Sequence, residues 1–174
     1  MTSAILLTNV SNENKRPAIE KVKSMASLEE LMPLIEERLS AGQRVKLSPR
    51  GISMLPMSRQ GKDSVYLSSP PEKLKKFDIP LYRREDGSFV LHRVVKVGET
   101  YTCIGDNQFR TEKGIEHSSV IAVVTAFERE GKYYSVLGKG YRLYCMLWHL
   151  SRPARHVWRA LRARAGRLMR KIRS

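Results

Sequence analysis

Three residue types that can together break a peptide bond lie at wide intervals along this chain: a serine, Ser53, a histidine, His92, and two acids, Asp106 and Glu112. Ser53 stands in Gly51-Ile-Ser53-Met54-Leu-Pro56, between a residue that frees the backbone and one that fixes φ. A serine hydroxyl is a weak nucleophile until a base removes its proton. A neutral imidazole, with an ordinary pKa of about 6.5, suits that task. Of four histidines, His92 is the one embedded in a strand-like run, Phe89-Val-Leu-His92-Arg93-Val-Val95. Alternation puts it on the face of Val90 and Val94, so by itself it reads as a hydrogen-bonded structural histidine. Gly105-Asp106-Asn107 by itself reads as a turn.

Taken in order, these segments resemble the signal peptidase I superfamily, which includes the self-cleaving LexA-type repressors. Gly51–Pro56 is similar to that family's nucleophile box, and Phe77-Asp78-Ile-Pro-Leu-Tyr82 to its second. Leu91-His92-Arg93-Val94-Val95 resembles its general-base strand, and Ile104-Gly105-Asp106-Asn107 its last box. The four span residues 44–124, and their order makes the match specific. Phe77 and Pro80 depart from the usual Gly and Val of the second box.

The position before Arg-Val is lysine in ordinary bacterial signal peptidases and LexA-like proteins. Histidine there resembles the endoplasmic-reticulum and archaeal subtype. The resemblance implies that Ser53 attacks, that His92 is the base, and that Asp106 or Glu112 orients it; both acids stay open. It further implies that the Ser53 N–H donates to the oxyanion and that Gly51 admits an extended substrate beside Val45–Leu47. Met54 is expected to pack inward, Pro56 to stiffen the exit, and Asp78 to organise structure around the site, with Arg93, Gly105 and Asn107 as its neighbours. Small substrate side chains are implied at the residue before the cut and two before that. No cofactor or metal is called for.

The elements that must hold these residues are mainly β, an α+β chain. A polar, aperiodic N-terminal arm over 1–24 is expected to be mobile. A β domain over 25–138 follows, and then a basic helical tail over 139–174. Ser27-Leu-Glu-Glu30 reads as a capping box, with Leu28, Leu31, Met32, Ile35 and Leu39 at helical spacing, Gly42 as the stop, and Pro33 marking where regular helix begins. Strands are predicted at 45–47, 64–67, 79–83, 89–97, 101–104, 120–129 and 133–136. Hairpin turns are predicted at Glu85-Asp-Gly-Ser88 and Glu130-Gly-Lys132. Pro80 requires an edge or a bulge. The family resemblance implies a small antiparallel barrel-like domain.

The chain carries 32 Lys and Arg against 17 Asp and Glu, net +15. From Lys139 onward there are eleven cations and no acid, so only +4 belongs to everything before. Val157, Leu161, Ala165, Leu168 and Ile172 form an apolar stripe among those arginines, which suggests an anionic membrane surface as partner rather than nucleic acid. No run reaches the ~20 apolar residues of a spanning helix. The N-terminus lacks the charged lead of a secretory signal, so a cytoplasmic or membrane-peripheral place is expected. Cys103 and Cys145 lack metal-ligand spacing. The expected activity is that of a serine endopeptidase cutting a leader or signal-like peptide. The rivals are a LexA-type self-cleaving regulator and a catalytically silent peptide-binding module.

Overall fold

The computed structural model describes residues 5–6, 28–155, 157–158, 161–162 and 164. Backbone contacts divide the chain into two units, Met1–Gly138 and Lys139–Ser174. The first holds helix α1 (Leu28–Ser40) and strands β1 (Ile5–Leu6), β2 (Val45–Leu47), β3 (Asp63–Ser68), β4 (Pro80–Arg83), β5 (Phe89–Leu91), β6 (Arg93–Val97), β7 (Tyr101–Ile104), β8 (Glu112–Ile115), β9 (Val120–Arg129) and β10 (Lys132–Ser135). The second holds α2 (Lys139–Leu150), with further helical residues at 152–155, 157–158, 161–162 and 164. Among the described residues no helix is long and apolar enough to cross a membrane.

Helix α1 buries Met32, Ile35 and Leu39, the 3–4 spacing that places side chains on one face. It begins at Leu28, so Pro33 lies inside it rather than opening it. Pro33 removes only the bond to the Glu29 carbonyl, on the exposed side where water can satisfy it. The far end closes as the sequence predicts. Gly42 takes φ +72°, its N–H donates to Leu39 O (2.9 Å), and Gln43 N–H donates to Arg38 O (2.9 Å). These two bonds make a Schellman cap.

Two antiparallel sheets carry the site. The larger runs β1-β2-β3-β9-β4-β5, with β10 also on β9; the smaller is β6-β7-β8. β3 and β9 alternate buried and partly exposed residues, as a sheet covered on one face requires. The β9–β10 turn uses Glu130 (φ +52°) and Gly131 (φ +74°), the paired positive φ values of a type I′ hairpin. Pro80 is the first residue of β4 rather than on an edge, and the β4–β9 register slips just after it, between Leu81 and Tyr82. A core of Leu74, Tyr82, Val90, Val94, Tyr101, Cys103, Ile115 and Val120 draws on both sheets.

Three expectations change. The sheets form no closed barrel among the described residues, because the chain leaves one sheet and enters the other instead of continuing a single ladder. The run expected as one strand over 89–97 is two strands: Phe89–Leu91 pairs with β4, Arg93–Val97 pairs with β7, and His92 is the residue between them. In the expected arm, Ile5–Leu6 pairs with Leu47 and Lys46 of β2; the rest of the arm lies outside the described residues. β8 was not anticipated, since Glu-Lys-Gly-Ile lacks the apolar alternation that marks a strand.

The second box shows why a glycine suits its first position. Phe77 holds φ +77°, the left-handed region that costs a residue with a Cβ about 1–2 kcal/mol. Its N–H donates to Val94 O and Val94 N–H donates to Asp78 O, both at 2.8 Å, which pins this loop to the strand after His92. Phe77→Gly should therefore be more stable than Phe77→Ala by about 1 kcal/mol in urea denaturation. Equal midpoints would show that the loop relaxes out of this conformation.

Candidate active site

The Ser53 loop is held at three places. Gly51 takes φ +91°, a value that favours glycine, and its N–H donates to Gln60 Oε1 (2.9 Å). Space around Gly51 is open, so backbone conformation is the visible reason for glycine there. Met54 is buried, as expected. Beyond it, Arg129 Nη2 donates to the carbonyls of Pro56 (2.6 Å) and Met57 (2.9 Å). Pro56 thus helps fix the exit through its carbonyl oxygen.

The third hold comes from the last box. Asn107 N–H donates to Ser53 O (2.8 Å) and Asn107 Nδ2 to Ile52 O (3.1 Å). A Cβ on Gly105 would stand 2.7 Å from Ser53 O, inside any tolerable contact. Glycine at 105 is thus a packing requirement: the turn after β7 and the serine loop lie backbone against backbone.

Strand parity separates the two acids. Arg93 pairs with Ile104 and Val94 with Cys103, so Arg93 and Val94 point to opposite faces of the smaller sheet. On the Arg93 side, its guanidinium grips Asp106 in a fork, Nε–Oδ1 at 2.7 Å and Nη2–Oδ2 at 2.6 Å, with both side chains nearly fully buried. Arg93 Nη1 also donates to Phe77 O (3.1 Å). On the Val94 side, Cys103 pairs with Glu112 at the start of β8, and this row leads to His92. His92 Nδ1 lies 3.1 Å from Glu112 Oε1. Glu112, not Asp106, is therefore the imidazole's partner; Asp106 is engaged by Arg93.

Tyr82 and Arg84 complete this cluster. Tyr82 OH donates to Glu112 Oε2 (2.8 Å) and lies 3.4 Å from His92 Nδ1, while Arg84 binds both Glu112 oxygens. Burial pushes the Glu112 carboxyl up, but the Arg84 and Tyr82 hydrogen bonds outweigh it and hold the group below the usual range. Burial pushes His92 below its ordinary value, more than the Glu112 charge raises it. A neutral imidazole whose Nδ1–H faces a carboxylate leaves Nε2 as the basic nitrogen. Cys103, beneath the pair, is pushed up to about 12 by burial and then by Glu112, so its thiol is unreactive.

Ser53 is partly exposed, and its N–H and Oγ make no hydrogen bond to a described residue. The structure thus joins His92 to Glu112 and the Ser53 loop to Gly105–Asn107, but holds no Ser53–His92 hydrogen bond. Such bonds often tighten only when substrate is bound. Asp78 is structural: its Oδ2 accepts from Lys75 N–H (2.7 Å), and its carbonyl holds Val94. A groove of about 1080 Å³ borders Tyr82, Arg84 and Glu112 and includes neither Ser53 nor His92.

Sequence reasoning missed four contributors. Tyr82 and Arg84 share strand parity beside the second box, a signal that could have been read. Asp63, fully buried, accepts from Arg59 at Nε, Nη2 and N–H and from Arg129 Nε (3.2 Å). Its four-residue spacing from Arg59 was visible. The reach of Arg129 across 73 residues to the loop exit was not.

The two acids should separate in experiment. Asp106→Ala strands a buried arginine and should cost roughly 3–5 kcal/mol of stability. Glu112→Gln, at a partly exposed site, should cost under about 1 kcal/mol. Chemical denaturation with equal losses for both would contradict this division. Comparison with protein-family models, with curated proteins and with solved structures finds no match to this chain.

Proposed function

We propose that the chain is a serine endopeptidase resembling signal peptidase I, of the Ser-His subtype and fold, acting on a leader or signal-like polypeptide. The observation that carries the reading is the His92–Glu112 contact. A buried imidazole, kept neutral and oriented through Nδ1, stands at the break before β6, whose neighbour β7 leads into the turn that anchors the serine loop. Ser53 Oγ forms a bond to the scissile carbonyl carbon while His92 Nε2 takes its proton. The oxyanion is met by the Ser53 N–H, which no described residue engages. The carbon–nitrogen bond then breaks as His92 returns the proton to the leaving amine. Water attacks the ester next, giving its proton to Nε2, and Ser53 leaves as the alcohol. Ile52, 66% exposed beside the nucleophile, offers an apolar contact to the substrate.

A second reading has its own support. The edge of β2, where an extended substrate would pair, carries Ile5–Leu6 of the same chain. A self-cleaving regulator would place its own segment there. Under the endopeptidase reading the segment is a competitor: deleting residues 1–8 frees the edge and should raise kcat/KM for a peptide in trans by roughly fivefold, the worth of about one net hydrogen bond. Under self-cleavage the wild type loses its N-terminus on storage and Ser53→Ala keeps it, as intact mass would show.

The labelling rate of Ser53 by a fluorophosphonate tests the base. Ser53→Ala should abolish it, and Glu112→Gln should lower it on the order of 10³-fold. Only neutral His92 accepts a proton, and its pKa is depressed. The rate should therefore rise with pH along a limb lying below pH 6.5 and be flat at neutrality. Glu112→Gln removes the charge that raises His92, so this limb should move further toward acid. A limb above pH 6.5, or one unmoved in the variant, would overturn the assignment of His92 and Glu112.

A further inference from the structure

The helical unit from Lys139 carries a second surface, independent of the serine site. Leu143, Leu147, Leu150, Val157, Trp158 and Leu161 are each more than half exposed. At 3.6 residues per turn all six fall within roughly 120° of one helix face. α2 ends at Leu150 and Pro153 supplies no N–H, but Ser151 N–H donates to Leu147 O and Arg155 N–H to Ser151 O, both at 3.0 Å, so helical bonding bridges the turn at Ser151. Among the described residues the six thus give an apolar side to both helical stretches, too extended to be scattered surface leucines.

Its flanks are cationic. Residues 139–174 hold eleven Lys and Arg and no acid. Two guanidiniums fold back on aromatic rings, Arg155 at 3.5 Å from the Trp148 ring and Arg162 at 4.0 Å from the Trp158 ring. That arrangement keeps charge beside the apolar face instead of across it. The charge pattern chooses among occupants. A second copy would bring two uniformly positive stripes together with no acid to pair them. A nucleic acid would take the arginines but leave the leucines in water. An anionic lipid surface accepts both at once, with headgroups for the cations and the acyl boundary for the stripe.

We propose that this stripe is a lipid-docking surface, with the helix lying in the plane of an anionic bilayer interface. Leu143, Leu147, Leu150, Val157, Trp158 and Leu161 enter the acyl boundary while the arginines bind headgroups. The full chain should sediment with vesicles of phosphatidylcholine containing phosphatidylglycerol and stay in solution with phosphatidylcholine alone, its tryptophan emission moving to shorter wavelength on binding. Leu147→Ser with Leu161→Ser should weaken vesicle affinity at least tenfold. These positions are exposed, so circular dichroism and the melting temperature should stay at wild-type values. Trp158→Phe should reduce the emission shift. Wild-type affinity in the double variant would overturn the proposal, because charge alone would then account for binding. Failure of the wild type to bind anionic vesicles would overturn it too, as would a dimer lost in the double variant, or tight DNA binding that the leucine changes leave intact.

Discussion

The buried fork between Arg93 and Asp106 is the contact on which the site depends. Two charges taken out of water gain from each other only when the geometry is good and their remaining hydrogen-bonding capacity is met. Here the arginine meets both carboxylate oxygens and spends a further N–H on Phe77 O. The pair thereby fixes the turn after β7 to the strand that begins one residue past His92, and Phe77 to the same place. Asn107, next to Asp106, then holds Ser53 O. Three segments far apart in sequence share one anchor.

Alternation along one strand gives the two acids different work. Neighbouring residues point to opposite faces, so Arg93 cannot serve the side that Val94 serves. The Arg93 face is sealed and ionic. The other face carries the row Val94–Cys103–Glu112, and there Glu112 is partly open, held by Tyr82 and Arg84 rather than by a single deep partner. Under the proposed function that openness matters, because a carboxylate steadying an imidazolium as it forms must stay ionised. The Arg84 and Tyr82 contacts keep Glu112 in that state despite partial burial.

Much of this was legible in the sequence, and the illegible part has a common cause. Strands 101–104 and 120–129, the Gly42 stop and the Glu130-Gly131 turn follow from local signals, namely apolar alternation and residues that tolerate positive φ. The family resemblance points to Ser53, His92 and Asp106 through its boxes and to Glu112 six residues beyond the last. Nothing local could choose between the acids, since that depends on which strand faces which, and the sheet change at His92 is set by pairing with β4 on one side and β7 on the other. β8 escaped notice because Glu112-Lys-Gly-Ile115 has no apolar alternation, so it is a strand by pairing rather than by pattern. Ile5–Leu6 escaped because the short unbroken apolar run Ala4-Ile5-Leu6-Leu7 in a polar arm carries no period.

The break at His92 also decides what its ring meets. A histidine in mid-strand would give both backbone groups to a ladder and its side chain to whichever face parity dictates. At the crossing between sheets its ring instead meets Tyr82 from the larger sheet and Glu112 from the smaller, two sources that no single strand could supply. The larger sheet also carries the serine loop's other restraint, through Arg129 of β9 to Pro56 and Met57. His92 and the Ser53 loop are therefore each tied to both sheets, His92 by Tyr82 and Glu112, the loop by Arg129 and Asn107. Side chains thus couple the two sheets at this point, where no continuous ladder joins them among the described residues.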